Sequence, residues 1–232
     1  MSILIFMPAR TKNKAAGGTA AGAGPGRRER NKQQTKEKIL RVALELFRKK
    51  GLEGTTTREI ARRCGIGEGT LFNYFRTKED LALFFFQTAT NDVIQWYYRE
   101  HDRELKKAGL AERLFAIVQR QLEFVVPYEN FIGAVLFRAL QPRSKLSPLS
   151  FESQELRLKY LRFIRDVLAE AEEKEEIPRV GELGAYAFGL FYAGILIHWL
   201  HDTSKGREKT LALLDRCLQV GTQALNKGAW EW

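Results

Sequence analysis

Three glycines fall within five residues of the run CGIGEGTLFNYFRTKEDL, which spans residues 64–81. Gly65 follows an apolar helical pattern, and glycine readily ends a helix because it tolerates the left-handed conformation. A short apolar and aromatic stretch comes next, after which Thr77 and Asp80 have the spacing of a helix start. The run therefore predicts that one helix ends, a very short helix forms and a further helix begins.

The two segments before this run also have helical patterns. Apolar residues recur at helical spacing from Thr35 onward, and Gly51 stands where a C-cap glycine belongs. Thr56 and Glu59 then form a capping-box pattern that begins a second helix. A helix, a glycine-containing tight turn and a second short helix are the pattern of a helix-turn-helix.

The short helix, predicted at about residues 68–75, has an apolar face and a polar face. Its apolar face, with Ile66 just before it, is expected to pack inward through Ile66, Leu71 and Phe75. The opposite face then carries Glu68, Gly69, Thr70, Asn73 and Tyr74. A helix of this diameter fits the major groove of DNA, where base edges present distinguishable patterns. Gly69 leaves room for the backbone to approach DNA, and Thr57 and Lys78 at helix starts are expected to meet phosphates.

The rest of the chain also has helical apolar spacing and no convincing period-two alternation, so we predict an all-α fold. Further helices are expected near residues 78–104, 110–126, 127–140, 151–176, 180–201 and 206–227. We divide the chain into a low-complexity basic tail at 1–32, a three-helix helix-turn-helix domain at 33–81 and a larger helical domain at 82–232. The tail is expected either to lie along DNA or to remain solvated.

The formal net charge of +10 is confined to the first third of the chain. Residues 1–80 carry 18 Lys and Arg against 8 Asp and Glu, whereas residues 81–232 carry 20 of each. This asymmetry is typical of a nucleic-acid-binding segment joined to a neutral partner domain. Cys64 and Cys217 lie far apart in apolar helical patterns, which favours reduced thiols in a cytoplasmic protein. The uncharged run 183–200 favours a helix buried on all sides over a membrane span.

At residues 34–81 the chain resembles the N-terminal domain of the TetR family of transcriptional regulators. The resemblance is carried by the helix ending "FRKKG", by "TTREIARRCG", by "GTLFNYF" and by "TKEDL". It implies a homodimer that binds a palindromic double-stranded DNA operator and is released when a small molecule enters the larger domain. In that family the last two long helices form the dimer interface.

Carried over by position, Thr57, Arg58, Thr70, Tyr74 and Lys78 match residue types that the family uses on phosphates or bases. Gly67 and Phe72 depart from the family pattern, since each lacks a hydroxyl group that the family usually has there. Glu68 and Asn73 occupy variable, base-reading positions. A carboxylate accepts a hydrogen bond from cytosine and an amide pairs with adenine. The alternative for the acidic Glu68 is that its side chain points away from DNA.

The larger domain is rich in aromatic residues, which predicts an aromatic effector pocket. Its candidate lining residues are Trp96, Arg120, Phe124, Phe131, Phe137, Arg138, Tyr160 and Phe163. The two arginines stand between apolar neighbours, where they either meet an acidic ligand group or pair with a glutamate. Ordinary core packing is the alternative for each aromatic residue.

The last two helices are the candidate dimer interface. We expect its residues to include Gly189, Ala193, Leu196, His198, Leu214 and Leu218. Two recognition helices held about 34 Å apart read successive major grooves, which a single short helix cannot do. His198, His201 and Asp202 have a spacing that can bind a metal, but no further convincing ligand is visible, and we predict no metal or cofactor.

These features predict a DNA-binding regulator, most simply a repressor. An activator and a sequence-tolerant architectural DNA-binding protein remain open alternatives. An enzyme with an attached DNA-binding segment is not favoured, because the sequence contains no phosphate loop, nucleophile elbow or paired acid and base at motif spacing.

Overall fold

The computed structural model describes residues 26–101 and 104–226, and its regular elements there are helices. They are α1 (Arg27–Lys50), α2 (Thr57–Cys64), α3 (Glu68–Phe72), α4 (Lys78–His101), α5 (Leu110–Val125), α6 (Glu129–Ala139), α7 (Gln154–Glu173), α8 (Gly181–His201) and α9 (Glu208–Asn226). The predicted all-α fold is confirmed. Residues 1–25 of the predicted tail lie outside the described part.

Helix α1 begins at Arg27, earlier than the predicted start near Thr35. Residues 27–32, which the charge run assigned to the tail, are therefore helical. Arginine, lysine, glutamate and glutamine are good helix formers, and charge alone does not prevent a helix. Glu29 lies in the first turn, where a carboxylate offsets the helix dipole, and its Oε1 is 4.0 Å from Lys32 Nζ.

The first three helices share a core made of the apolar positions that the pattern identified. Ile39, Leu46, Phe47, Ile60 and Leu71 have essentially no exposed surface. Each such side chain contributes about 1.5–3 kcal/mol relative to an exposed one. This burial holds the short helix α3, which is too short to be stable alone.

Helix α2 has the caps that the sequence predicts at both ends. The Thr56 hydroxyl accepts a hydrogen bond from the Glu59 amide at 3.1 Å, which satisfies one unpaired donor of the first turn. At the other end Gly65 adopts φ +66°, and its amide bonds back to carbonyl groups of α2. A side chain at that φ is strained, so glycine is the natural residue there.

Helix α4 also begins at the predicted capping pair. The Asp80 amide donates to Thr77 Oγ1 at 3.2 Å, and the Thr77 amide donates to Asp80 Oδ2 at 2.9 Å. The helix then continues to His101, slightly short of the predicted end. The predicted domain limit at residues 81 and 82 lies inside α4, so the two predicted domains share one continuous helix.

The far end of α4 is anchored by a buried polar cluster. Arg113 of α5 has no exposed surface, and its guanidinium lies 3.0 Å from Glu176 and 3.4 Å from Glu170. His101 Nε2 lies 2.9 Å from Glu170 Oε2. Lys174 Nζ also lies 2.6 Å from Glu170, so two cations face the two carboxylates. The cluster therefore ties α4, α5 and α7 together without an unpaired charge.

Helix α8 packs against α7 with one face and leaves an apolar face exposed. Phe188, Ile195 and Trp199 are buried, whereas Leu183 and Leu190 keep 78% and 77% of their surface. The prediction of a helix buried on all sides is therefore wrong for the single chain. Among the described residues, α8 is also the helix long and apolar enough to cross a membrane, a property it shares with helices of soluble cores.

Candidate nucleic-acid interface

The orientation of α3 is the one predicted from its apolar face. Leu71 and Phe75 are buried and Ile66 is half-buried, while Thr70 and Asn73 are exposed on the other side. The helix ends at Phe72 rather than near Phe75, because the Tyr74 amide bonds to the Leu71 carbonyl in a tighter turn. The exposed face is nevertheless continuous through Asn73.

Two departures from the family pattern, Gly67 and Phe72, lie at the two ends of α3. Gly67 precedes the first turn of α3, and no side-chain cap is formed there. Phe72 has 41% of its surface exposed, so its ring is presented outward despite being apolar. Gly69 is also exposed, and a Cβ placed on it would meet no atom within 4 Å. Internal packing therefore does not require glycine at position 69.

Glu68 is the residue whose side chain the sequence could not orient. Its Oε1 accepts a hydrogen bond from the Thr57 hydroxyl at 3.1 Å, and its Oε2 lies 3.4 Å from Arg58 Nε. Both oxygens are thus engaged with the start of α2 rather than directed freely outward. The Arg58 side chain remains 86% exposed, which leaves its terminal nitrogens available to a partner.

Tyr74 and Lys78 lie closer to the protein than the exposed residues of α3. Tyr74 is half-buried and packs against the core. Lys78 Nζ donates to the Leu52 carbonyl at 2.7 Å and lies 3.8 Å from Glu53. Lys78 therefore ties the start of α4 to the turn between α1 and α2, and binding a phosphate through its side chain would require sharing or releasing that contact.

The residues predicted to line an effector pocket are dispersed. Phe131 is fully buried and stacks on Phe47 with ring centroids 5.1 Å apart, so it forms part of the packing contact between α6 and α1. Phe163 is also buried, whereas Phe137 is 70% exposed and faces away from the interior. Helical spacing places Phe137 among apolar neighbours but does not reveal which face of α6 is covered. Phe131 therefore agrees with the alternative of ordinary core packing, and Phe137 lies on the surface of α6.

Trp96, Phe124 and Tyr160 are half-buried and pack against the core. Tyr160 Oη also lies 3.1 Å from Gln121 Oε1. These three residues remain candidates for a ligand-facing surface.

Both arginines of the predicted pocket have protein partners instead. Arg120 Nη2 lies 2.8 Å from Asp92 Oδ2 across α5 and α4. Arg138 Nη2 lies 2.5 Å from Glu53 and Nη1 lies 3.4 Å from Glu79, so this side chain reaches the helix-turn-helix segment. Carboxylates already compensate both charges, which agrees with the alternative that each arginine pairs with an acidic side chain of the protein.

The predicted dimer residues are divided between the two faces of α8 and α9. Leu196, Leu214 and Leu218 are buried within their own chain, so they present almost no surface to a second copy. Ala193 and His198 are exposed, and Gly189 is half-buried. The exposed apolar residues of this region are instead Leu183, Tyr186, Leu190, Ile197, Leu213 and Val220.

Asp202, considered above as a metal ligand, is fully engaged as a helix cap. Its Oδ1 accepts from Ser204 and its Oδ2 accepts from the amide and the hydroxyl of Thr210. The Ser204 and Thr210 hydrogen bonds hold the pKa of this carboxyl well below its usual range. His198 Nδ1 lies 2.9 Å from the Thr210 hydroxyl, and His201 is exposed. Within the described residues no group of histidine, cysteine and carboxylate side chains has a metal-binding arrangement.

The segment after α6, which no local sequence pattern indicated, also contacts the start of α4. Lys145 Nζ lies 2.8 Å from Asp80 Oδ1, and the Ser144 hydroxyl donates to Glu79 Oε1 at 3.0 Å. With Arg138, these contacts connect the larger helical unit to the first turn of α4. The partners are separated by more than fifty positions, so a local pattern could not identify them.

Comparison with known protein families agrees with this architecture. Residues 39–83 match the bacterial regulatory proteins of the tetR family, and residues 113–231 match the tetracyclin repressor-like C-terminal domain. The first match contains the whole of α2 and α3, and the second contains α6 to α9. The two matches leave only the α4 to α5 region and the N-terminal segment unmatched.

Individual relatives cover less of the molecule. The regulator TcmR of Streptomyces glaucescens is 42% identical over 60 residues, which are 26% of each chain. The uncharacterized regulator YuxN of Bacillus subtilis is 30% identical over 154 residues, 64% of this chain and 50% of YuxN. The chain thus spans a quarter to a half of these relatives.

Solved structures show the same fold at low identity. A TetR-family regulator from Syntrophomonas wolfei has a TM-score of 0.65 with 19% identity, covering 83% of this chain and 97% of its own. Thermus thermophilus FadR in complex with lauroyl-CoA has a TM-score of 0.62 with 21% identity, covering 80% and 94%. With both sequence matches and this fold, the chain belongs to the tetR family of bacterial regulatory proteins.

Proposed function

We propose that this protein is a ligand-responsive, sequence-specific DNA-binding regulator that acts as a homodimeric repressor on a palindromic operator. The observation that supports it best is the outward face of α3, where Thr70 and Asn73 are exposed beside Arg58. Amide and guanidinium groups are the side chains that read base edges, and hydroxyl groups bind either bases or phosphates. The buried Leu71 on the opposite side keeps this face directed outward.

A dimer would place two such helices on one operator. The exposed leucines of α8 and α9 make an apolar face that a second copy of the chain can cover. An isologous contact of this kind relates the two recognition helices by a two-fold axis, which suits a palindromic site. We propose the exposed residues Leu183, Tyr186, Leu190, Ile197, Leu213 and Val220 as its apolar centre, with Ala193 and His198 beside them.

The effector is proposed to be a small, mainly apolar molecule that binds the larger helical domain. Two proteins of similar fold contain lauroyl-CoA and stearoyl-CoA in their crystal structures. Trp96, Phe124 and Tyr160 supply half-buried aromatic surface in this chain. To release DNA, the effector must bind the DNA-incompetent arrangement better than the competent one.

The contacts of Arg138 and Lys145 supply a route from that domain to the DNA-binding face. Arg138 links α6 to Glu53 and Glu79, and Lys145 holds the capping residue Asp80. Because these ion pairs are partly exposed, each is worth only about 0–1 kcal/mol and can be exchanged without unfolding the domain. A shift of α6 would thus move the start of α4 and the helix-turn-helix attached to it.

Fluorescence anisotropy with DNA from upstream of the protein's own gene tests the proposal, with a scrambled duplex as control. Sequence-specific binding should survive as salt is raised through about 150 mM, while binding to the scrambled duplex falls away. Arg58→Ala should weaken operator binding more than Arg162→Ala, which removes the same charge from an exposed position of α7. If the protein binds both duplexes equally and both affinities fall together as salt is raised, the result would favour an architectural DNA-binding protein.

A transcription assay on the same upstream DNA separates a repressor from an activator. Repression that is relieved by the effector agrees with the proposal, and transcription that requires the protein contradicts the repressor assignment. We further propose a cytoplasmic protein without catalytic activity. Chemical turnover of a bound effector would contradict the latter.

A further inference from the structure

Tyr192 occupies an unusual position on the inner face of α8. Phe188 and Leu196, one turn before and one turn after it, are both buried. Tyr192 is only half-buried, and none of the described residues lies within hydrogen-bond distance of its hydroxyl. Burial nevertheless raises the pKa of its phenol above the usual range. The described residues therefore leave the hydrogen-bonding capacity of this hydroxyl unused, so it is available to a bound molecule.

Tyr160 and Gln121 lie at the same place. The rings of Tyr160 and Tyr192 have centroids 6.0 Å apart, and the Tyr160 hydroxyl donates to Gln121 Oε1 at 3.1 Å. That bond occupies the amide oxygen of Gln121 and leaves its Nε2 group without a partner among the described residues. Tyr192 Oη and Gln121 Nε2 are therefore two hydrogen-bond donors available to a guest.

Gly189 provides room beside these donors. It lies one turn before Tyr192 on α8 and is half-buried. A Cβ added at Gly189 would meet only Leu161 Cδ2, at an ordinary contact distance of 3.9 Å. Phe163 packs beside Tyr160 with centroids 6.4 Å apart, which makes the surroundings of the donors mainly apolar.

We infer that Tyr192, Tyr160 and Gln121 form the polar wall of an effector pocket between α5, α7 and α8, which binds an uncharged, mainly apolar molecule through a carbonyl oxygen. Gln121 Nε2 can only donate and Tyr192 Oη can donate as well, so a single acceptor on the guest can bond to both groups. A buried anion would need a cation, but Arg120, the residue before Gln121, is already paired with Asp92. This inference rests on the proposed function only in calling the guest an effector.

The neutral naphthalene ketone PRODAN is a suitable probe because its emission responds to hydrogen bonding at its carbonyl group. We expect the DNA-free protein to bind PRODAN. Tyr192→Phe should weaken binding about three- to tenfold and shift the emission to the blue, since one hydrogen bond to the carbonyl is lost. Tyr98→Phe is the matched control, because that hydroxyl is exposed and lies 3.4 Å from Asp166.

Two further variants test the space and the second donor. Gly189→Ala should preserve binding, whereas Gly189→Leu should abolish it by filling the space. Gln121→Leu should weaken binding like Tyr192→Phe, which keeps the inference testable if one variant fails to fold. Unchanged affinity and emission in both donor variants, or equal binding of the anionic probe ANS with the same sensitivity, would overturn the inference. The probe experiment contains no DNA, so its outcome does not depend on whether the protein binds an operator. Failure of operator binding would contradict the proposed function without contradicting this inference.

Discussion

The two carboxylate oxygens of Asp80 serve different parts of the molecule, and Lys145 holds one of them. Asp80 Oδ2 accepts the Thr77 amide in the cap of α4, while Oδ1 lies 2.8 Å from Lys145 Nζ. The residue whose side chain completes the cap of α4 is therefore also the residue to which the segment after α6 is attached. We therefore expect a displacement of that segment to act on the start of α4, which follows the helix-turn-helix in the chain.

Lys145→Gln should weaken operator binding about three- to tenfold, because it releases the start of α4 from the larger domain. The melting temperature should fall by less than about 4 °C, since a partly exposed ion pair contributes little stability. Anisotropy titration and thermal melting measure the two quantities. Arg165→Gln is the control, as it loses the same charge from a pair with Glu172 within α7. Equal operator affinity in the two variants would contradict the proposed link.

Asn73→Ala should reduce discrimination between the operator and a scrambled duplex by about 1–3 kcal/mol, the value of one base-reading contact. The cap of α3 uses the backbone of Asn73, so the helix should remain intact. Titration of both duplexes measures the difference. Asn91→Ala, on the exposed surface of α4, should leave discrimination unchanged. Identical losses on both duplexes would remove Asn73 from base reading.

Glu68→Gln should raise affinity for both duplexes about two- to tenfold, because a carboxylate that repels phosphates becomes neutral. The amide retains an oxygen for the Thr57 hydroxyl, so the local geometry should be kept. The variant also frees Arg58 from its ion pair. A selective loss of operator binding, confined to one base pair, would instead identify Glu68 as a base reader.

Leu190→Asp should convert a dimer into a monomer, since it places a charge in the centre of the exposed face of α8. Leu149→Asp is the control, because Leu149 is 91% exposed but lies outside α8 and α9. Sedimentation velocity at micromolar concentration distinguishes the two forms. A wild-type monomer, or dissociation by both variants, would contradict the proposed interface.

Asp202→Asn should destabilise the protein at neutral pH, because an amide cannot accept all the hydrogen bonds that the carboxylate accepts from Ser204 and Thr210. These bonds lower the pKa of Asp202 in the folded state below its ordinary value of 3.8. The stabilisation is therefore fully present above that ordinary value and is lost as the pH falls through the folded-state pKa.

Thermal melting at several pH values checks this prediction. The difference between wild type and variant should be constant near neutral pH and shrink in acid. Asp215→Asn provides the comparison, since Asp215 is exposed on α9 and accepts only from Gln219 one turn away. A difference that grows on acidification would have the wrong sign for a lowered pKa.

The helix-turn-helix was determined by local sequence. The Thr56 cap, the Thr77 and Asp80 pair and the Gly65 turn all depend on residues within one helical turn, and all three form as the pattern predicts. The local sequence was misleading at the start of α1. The charged residues there were assigned to a tail, but the helix begins at Arg27. The predicted helices differ from the observed ones mainly in where each helix begins and ends.

The tertiary structure determined which face of each later helix is covered and which charged side chains form ion pairs. Periodicity placed Leu190 and Leu214 in apolar patterns, but only packing shows that Leu214 is buried and Leu190 is exposed. Periodicity also placed Arg138 among apolar residues, but it did not reveal that Arg138 pairs with Glu53, 85 positions away. A helical pattern groups residues into faces through short-range geometry, whereas the partner of each face depends on how distant segments come together.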